Sequence, residues 1–159
     1  MKKMLLALVV VFAGLSAQAF AATVSIPDMD ADGGKTIDVS VMIDNAARVT
    51  GFQFTVNYDA SVLQATGASA GDLTSGWMIT PNTNDAGKMK VAGVSATLQE
   101  LSPGNSGSLT KLQFKVIGKP GKKNALSFSV CSLSDSEGKK IASTCKEGQI
   151  RIKGPKKEK

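Results

Sequence analysis

Residues Gly51 to Tyr58 read GFQFTVNY. Phe52, Phe54, Val56 and Tyr58 occupy every second position, with Gln53, Thr55 and Asn57 between them. A period of two built from aromatic and β-branched residues is the signature of a strand with one buried face. The same period recurs along the chain. In Thr36 to Ile43 it puts Ile37, Val39, Val41 and Ile43 on one face. In Leu109 to Ile117 it turns Leu112, Phe114 and Val116 inward and Lys111, Gln113 and Lys115 outward. Ala125 to Cys131 places Leu126, Phe128 and Val130 inward, and Gln149 to Ile152 does so for Ile150 and Ile152. Weaker strand signals lie at Val24–Ile26, Val62–Thr66, Trp77–Thr80 and Met89–Ser95. Turns rich in Gly, Asn, Asp and Pro separate them, such as Asp32-Gly33-Gly34, Asn84-Asp85-Ala86-Gly87, Ser102-Pro103-Gly104-Asn105 and Lys119-Pro120-Gly121. Nothing after residue 22 sustains a 3.6-residue apolar period; at most, Ala60 to Leu63 forms one helical turn. About nine short strands joined by turns predict an all-β, two-sheet antiparallel sandwich, because one-sided burial suits antiparallel sheets.

Residues 1–22 stand apart. Lys2 and Lys3 precede an apolar run from Leu5 to Leu15, and Ala19-Phe20-Ala21 offers a small-residue cleavage site. This is the layout of a secretory signal peptide cut after Ala21, and the run is shorter than the ~20 apolar residues of a membrane span. No second apolar stretch follows, so the mature chain is expected to be exported, periplasmic or extracellular, with no membrane span. After removal of the signal, 17 basic residues face 13 acidic ones, a net charge of +4. The excess is in residues 119–159, with 11 basic against 4 acidic; the preceding segment is slightly acidic. The last residues, Lys153 to Lys159, read as a basic disordered tail. Such a tail is either a solvated end or a contact for an anionic surface, and export argues against nucleic acid as its partner.

The chain has 159 residues and no His. That removes Ser-His-Asp triads, His-ligated metals and His proton shuttles. Two Cys cannot complete a four-thiolate metal site. In an oxidising compartment Cys131 and Cys145 are expected to form a structural disulfide; a redox pair would favour C-x-x-C spacing. The closed loop of about 15 residues is expected to contribute about 3 kcal/mol.

Phe52 to Leu63, FQFTVNYDASVL, carries more than alternation. It resembles the cohesin domain family, whose members show an F-x-F-x-x-x-Y-D-x-x-x-L run; Tyr58, Asp59 and Leu63 match it. Gly34 to Val41, Gly107 to Val116 and Gly148 to Ile152 resemble three further strands of the family in the same order. The resemblance spans nearly all of residues 23–152. It implies a nine-stranded jelly-roll sandwich related to carbohydrate-binding modules, and a non-catalytic role. It also implies a partner: cohesins bind dockerins, calcium-loaded helical modules carried on polysaccharide-degrading enzymes. The Asn and Asp that supply dockerin hydrogen bonds in that family align with Gly51 and Gln53.

Four candidate sites follow from the residues. Gln53, Thr55 and Asn57 form an uncharged polar row suited to a protein or glycan partner, or to plain solvation. Trp77, the only Trp, either stacks on a pyranose ring or packs in the core. Asp28, Asp30 and Asp32 before Gly33 have calcium-loop spacing, although Val39 stands where the loop's twelfth-position Glu belongs; a polar turn explains them equally. Asp59 and Glu100 are the carboxylates to weigh for glycoside hydrolysis, and nothing in the sequence pairs them. The expected function is a secreted binding module for a dockerin-like protein, with polysaccharide binding or a structural envelope role as alternatives.

Overall fold

The computed structural model describes residues 21–154, so the signal segment before residue 21 and the tail beyond Gly154 lie outside the described residues. The described residues form twelve strands and no helix. They are β1 Ala22–Ser25, β2 Met29–Asp32, β3 Thr36–Ala46, β4 Gly51–Asn57, β5 Leu63–Ala70, β6 Met78–Asn82, β7 Lys88–Val94, β8 Asn105–Val116, β9 Lys123–Ser134, β10 Lys140–Ile141, β11 Ser143–Lys146 and β12 Gly148–Lys153. One sheet runs β11-β1-β3-β8-β5; the other runs β2-β12-β9-β4-β7-β6, with β10 attached to β9.

Alternation decides which side chains enter the space between the sheets. Val39, Val41 and Ile43 of β3 and Leu112, Phe114 and Val116 of β8 enter from one side; Phe54 and Val56 of β4, Leu126 and Leu133 of β9 and Ile150 of β12 enter from the other. All are essentially removed from water. Full burial of each such side chain stabilises the fold by roughly 1.5–3 kcal/mol. Phe54 packs against Phe52 with ring centroids 4.9 Å apart and against Phe128 at 5.6 Å, and Tyr58 meets Phe114 edge-on at 5.2 Å.

The edges depart from the sequence expectation. Met29–Asp32 is a strand, not a turn, and the polar connection before Cys145 contains β10 and β11. Two pairings are parallel: β1 with β11 and β2 with β12. Both follow from one feature, a pair of segments that change sheets side by side. Residues 22–32 leave the five-stranded sheet at Pro27, which has no N–H to give a ladder, and join the seven-stranded sheet. Residues 143–153 make the same transfer between β11 and β12. The two segments touch at Gly148, where an added Cβ would overlap the carbonyl oxygen of Ile26. Polar edge strands carry no alternating apolar pattern, so periodicity does not mark them. Lys153 ends β12 rather than starting a tail, and residues 60–62 form a turn whose N–H groups at Val62 and Leu63 both donate to the Asp59 carbonyl.

A second departure lies inside β9. Thr55 of β4 pairs with Val130, but Val56 pairs with Phe128, so Ser129 is an extra residue in β9. A bulge of one residue reverses the faces beyond it. Phe128 points inward as expected. Val130, expected inside, stands on the outer surface with 40% of its area exposed, and Cys131 turns inward opposite Phe54. Cys145 of β11 pairs with the buried Val24, so it also faces the interior. The Cys131–Cys145 disulfide, Cα–Cα 6.6 Å, therefore ties one sheet to the other. It does more than close the loop of about 15 residues that the spacing suggests.

Candidate functional site

The outer face of β9, β4, β7 and β6 is laid out by register. Met78, Val94, Gly51 and Ser134 lie in one row across the strands. Thr80, Ala92, Gln53 and Ser132 form the next, then Asn82, Lys90, Thr55 and Val130. Apolar area is exposed here. Met78 is 63% exposed and Val94 45% exposed, and with Val130 they put three large apolar side chains on one sheet face. Small residues and hydroxyls separate them, so the surface is shallow. Lys88 and Lys90 rim it, Lys90 in a solvent-exposed pair with Asp85 at 3.2 Å.

Each residue of the predicted polar row has its own setting. Gln53 is exposed at the centre of the face. Thr55 also points outward, but it stands between Val130 and Lys90 and is only 7% exposed. Asn57 is half-buried, and its Oδ1 accepts a hydrogen bond from the Ser129 hydroxyl at 3.4 Å. The structure thus brings the row onto one face but leaves Gln53 as its open member. Val130, Met78 and Val94, which sequence reasoning does not place here, supply more surface than the polar row does. Met78 and Val94 are legible as out-of-phase members of their strands; Val130 is not, because the bulge that exposes it has no local signature.

Gly51 sits under Ser134: an added Cβ would lie 2.7 Å from the Ser134 Oγ. The strand therefore passes too close to its neighbour for a side chain at this position without movement of Ser134.

Trp77 precedes β6 at the end of this face, half-buried, its indole stacked on Phe52 with centroids 6.2 Å apart. It is partly a core residue, and it also lines a groove between two loops. The three carboxylates of the candidate calcium loop do not converge. Asp28, Asp30 and Asp32 follow an extended segment, in which alternate residues are about 6.6 Å apart. Asp28 accepts the Gln149 N–H at 2.9 Å, and Asp30 pairs with Arg151 at 3.5 Å and Lys153 at 3.2 Å. Among the described residues no group of three acidic, Cys or His side chains gathers to hold a metal.

Asp59 and Glu100 lie at opposite ends of β4. Asp59 lies two residues beyond its last residue, Asn57, whereas the Glu100 loop is pinned at Val49, two residues before its first, the Leu101 N–H donating to the Val49 carbonyl. About ten residues of extended chain, at about 3.3 Å each, far exceed the separation at which two carboxyls share a glycosidic bond. The shifted carboxyls have structural causes. Ser61 donates its hydroxyl and then its N–H to Asp59 and holds that carboxyl below its ordinary value. Asp72 is lowered chiefly by the Lys111 ammonium. Asp135 is lowered chiefly by the Lys139 N–H.

The sequence model of the Cohesin domain family matches residues 22–152. The chain belongs to the cohesin domain family. No curated protein sequence matches it. Solved cohesins share its fold. A non-cellulosomal cohesin from the archaeon Archaeoglobus fulgidus superposes with a TM-score of 0.71 at 22% identity, covering 84% of this chain and 92% of that one. The sixth cohesin of scaffoldin B from Acetivibrio cellulolyticus, in complex with a dockerin, gives 0.71 at 22% identity, covering 83% and 99%. A type I cohesin–dockerin complex from Clostridium thermocellum gives 0.71 at 17% identity, covering 83% and 99%. Cohesin domains are non-catalytic binding modules. This cohesin has an inter-sheet disulfide and, among the described residues, no helix long and apolar enough to cross a membrane.

Proposed function

We propose that this cohesin is an exported, non-catalytic module that receives a protein partner, dockerin-like in type, on the outer face of β9, β4, β7 and β6. The observation that carries the reading is the concentration of exposed apolar side chains there. Met78, Val94 and Val130 share one sheet face with the open amide of Gln53. Large apolar side chains exposed on one face, set among small and polar residues, are characteristic of a protein contact. Solved cohesins of the same fold are found in complex with dockerins, which supports the class of partner. Gly51 and Gln53, in place of the family's Asn and Asp, shift the expected contact from charged hydrogen bonds towards apolar and amide contacts. Lys88 and Lys90 favour a partner with acidic groups at the matching edge. The Cys131–Cys145 bond supports an oxidising compartment, and hence export.

The test is calorimetry of the full mature chain against purified calcium-loaded dockerin modules. Binding by at least one module, weakened about a hundredfold by Val130→Asp or Gln53→Arg, is the expected result. Absence of binding at about 100 μM to every module, or binding indifferent to both substitutions, overturns the reading.

A further inference from the structure

The connection from β7 to β8 begins with a turn, Ser95 to Leu98, closed by the Leu98 N–H donating to the Ser95 carbonyl at 3.1 Å. The Ser95 hydroxyl completes it by accepting the Gln99 N–H at 3.0 Å. The connection from β9 to β10 is built the same way. There the Gly138 N–H donates to the Asp135 carbonyl at 3.0 Å, and the Asp135 carboxylate accepts the Lys139 N–H at 2.9 Å. In both turns the fourth residue is left-handed, with φ of 55° at Leu98 and 76° at Gly138. Glycine is favoured at such a position, because a Cβ there crowds the backbone. One turn has the residue its geometry favours; the other has a leucine.

Packing does not explain the leucine. Leu98 lies outside the hydrophobic core and is 58% exposed. Among the described residues two other non-glycines have positive φ, and each has a local reason. Asn45 is of a type that tolerates the conformation, and the Arg48 guanidinium reaches Glu100 at 3.7 Å. A lone exposed leucine needs no explanation. One that also strains its backbone does, and such strain gathers at binding sites.

The turn sits at the end of the outer sheet face. Ser95 follows Val94, the last residue of β7, and its N–H donates to the carbonyl of Thr50, just before Gly51 of β4, at 2.8 Å. It therefore borders the row of Met78, Val94 and Gly51, of which Met78 and Val94 are exposed apolar side chains. We propose, resting on the protein-partner reading above, that Leu98 is a specificity-determining contact. It carries the apolar surface past the end of β7 and selects a partner that places a further apolar side chain beyond the Met78–Val94 row. The loop is held before any partner arrives, which lowers the ordering cost of that contact. The Leu101 N–H donates to the Val49 carbonyl at 2.9 Å and the Arg48 N–H to the Leu101 carbonyl at 3.2 Å.

Stability and affinity should then move in opposite directions. Leu98→Gly relieves the backbone and should raise the melting temperature by about 2–4 °C. Calorimetry of the mature chain uses the calcium-loaded dockerin module that the native protein binds most tightly. Leu98→Gly should weaken that binding about tenfold. Leu98→Ala keeps the Cβ, so it should weaken binding to a similar extent with a melting temperature within about 1 °C of native. Leu98→Met, apolar and of similar size, should stay within about twofold of native affinity. A leucine kept for folding would behave otherwise, because its removal would lower the melting temperature. Three results overturn the role of Leu98 and leave the partner reading standing: no rise in melting temperature in Leu98→Gly, native affinity in both Leu98→Gly and Leu98→Ala, or Leu98→Met binding no better than Leu98→Ala. Absence of binding by the native protein to every module overturns both together.

Discussion

Val130 stands directly opposite Thr55 on the outer face, although the next residue of β4, Val56, pairs with Phe128. The extra residue Ser129 is what separates the two registers. It exposes Val130 and turns Cys131 toward Cys145 in the same step. One bulge thus aims both an apolar contact outward and a covalent tie inward.

Deleting Ser129 is expected to remove the bulge and leave Val56–Phe128, Thr55–Val130 and Phe54–Cys131 as one unbroken ladder. Val130 then stays outward and Cys131 inward, so the disulfide still closes. Thiol titration of the folded deletion variant should find no free thiol. Two free thiols there would show that Ser129 does more than set the register of β9.

Replacing both cysteines by Ser is expected to lower stability by about 3 kcal/mol, the chain-entropy value for a loop of this length. The urea midpoint should fall accordingly. The outer face of β4 and β7 should survive, because ladder pairing holds it without the bond. A midpoint shift near zero would mean that the sheets need no covalent tie.

Gly148→Ala should cost roughly 1–3 kcal/mol, as overpacking does. The added methyl runs into the Ile26 backbone carbonyl, where neither crossing segment has a flexible end to yield. Gly67→Ala is the control: its Cβ would meet only the end of the Gln113 side chain, at 3.4 Å. Its effect should stay within about 0.5 kcal/mol. Thermal melts of the two variants side by side decide the matter, and equal shifts would remove the special role assigned to the crossing.

Asp59 gives a pH dependence of known sign. Ser61 holds its carboxyl below the ordinary value in the folded state. A depressed carboxyl contributes stability that is fully present above its unfolded value and is lost as pH falls through the folded one. The stability gap between the native protein and Asp59→Asn should therefore narrow between about pH 5 and pH 2. Urea titrations at both ends of that range measure it, and a gap independent of pH would remove Asp59 from the acid response.

Much of the core is legible in the spacing of apolar residues. Phe54, Val56, Val39, Val41, Ile43, Leu112, Phe114, Val116, Ile150 and Ile152 all lie on the faces that their spacing predicts. The site is less legible. Gln53 is open as its position suggests, but Thr55 is covered by neighbours that are remote in sequence. The Asp28–Asp32 carboxylates keep their spacing and lose their convergence, since that segment pairs with β12 as a strand. The groove at Trp77 joins loops from two separate parts of the chain, and no motif links them.

Fold class, the inward faces of the main strands and the family are all written in the amino-acid sequence. The first two rest on a period of two, which each strand carries within its own residues, and the family on the specific residues of the Phe52–Leu63 run and its flanking strands. Three features arise only when the chain packs: the Ser129 bulge, the parallel edge strands, and the meeting of Trp77 with Gln99 and Asn105. Each depends on which backbone lies alongside which. Ladder hydrogen bonds fix that choice through groups every residue shares, so the side-chain pattern leaves it unwritten.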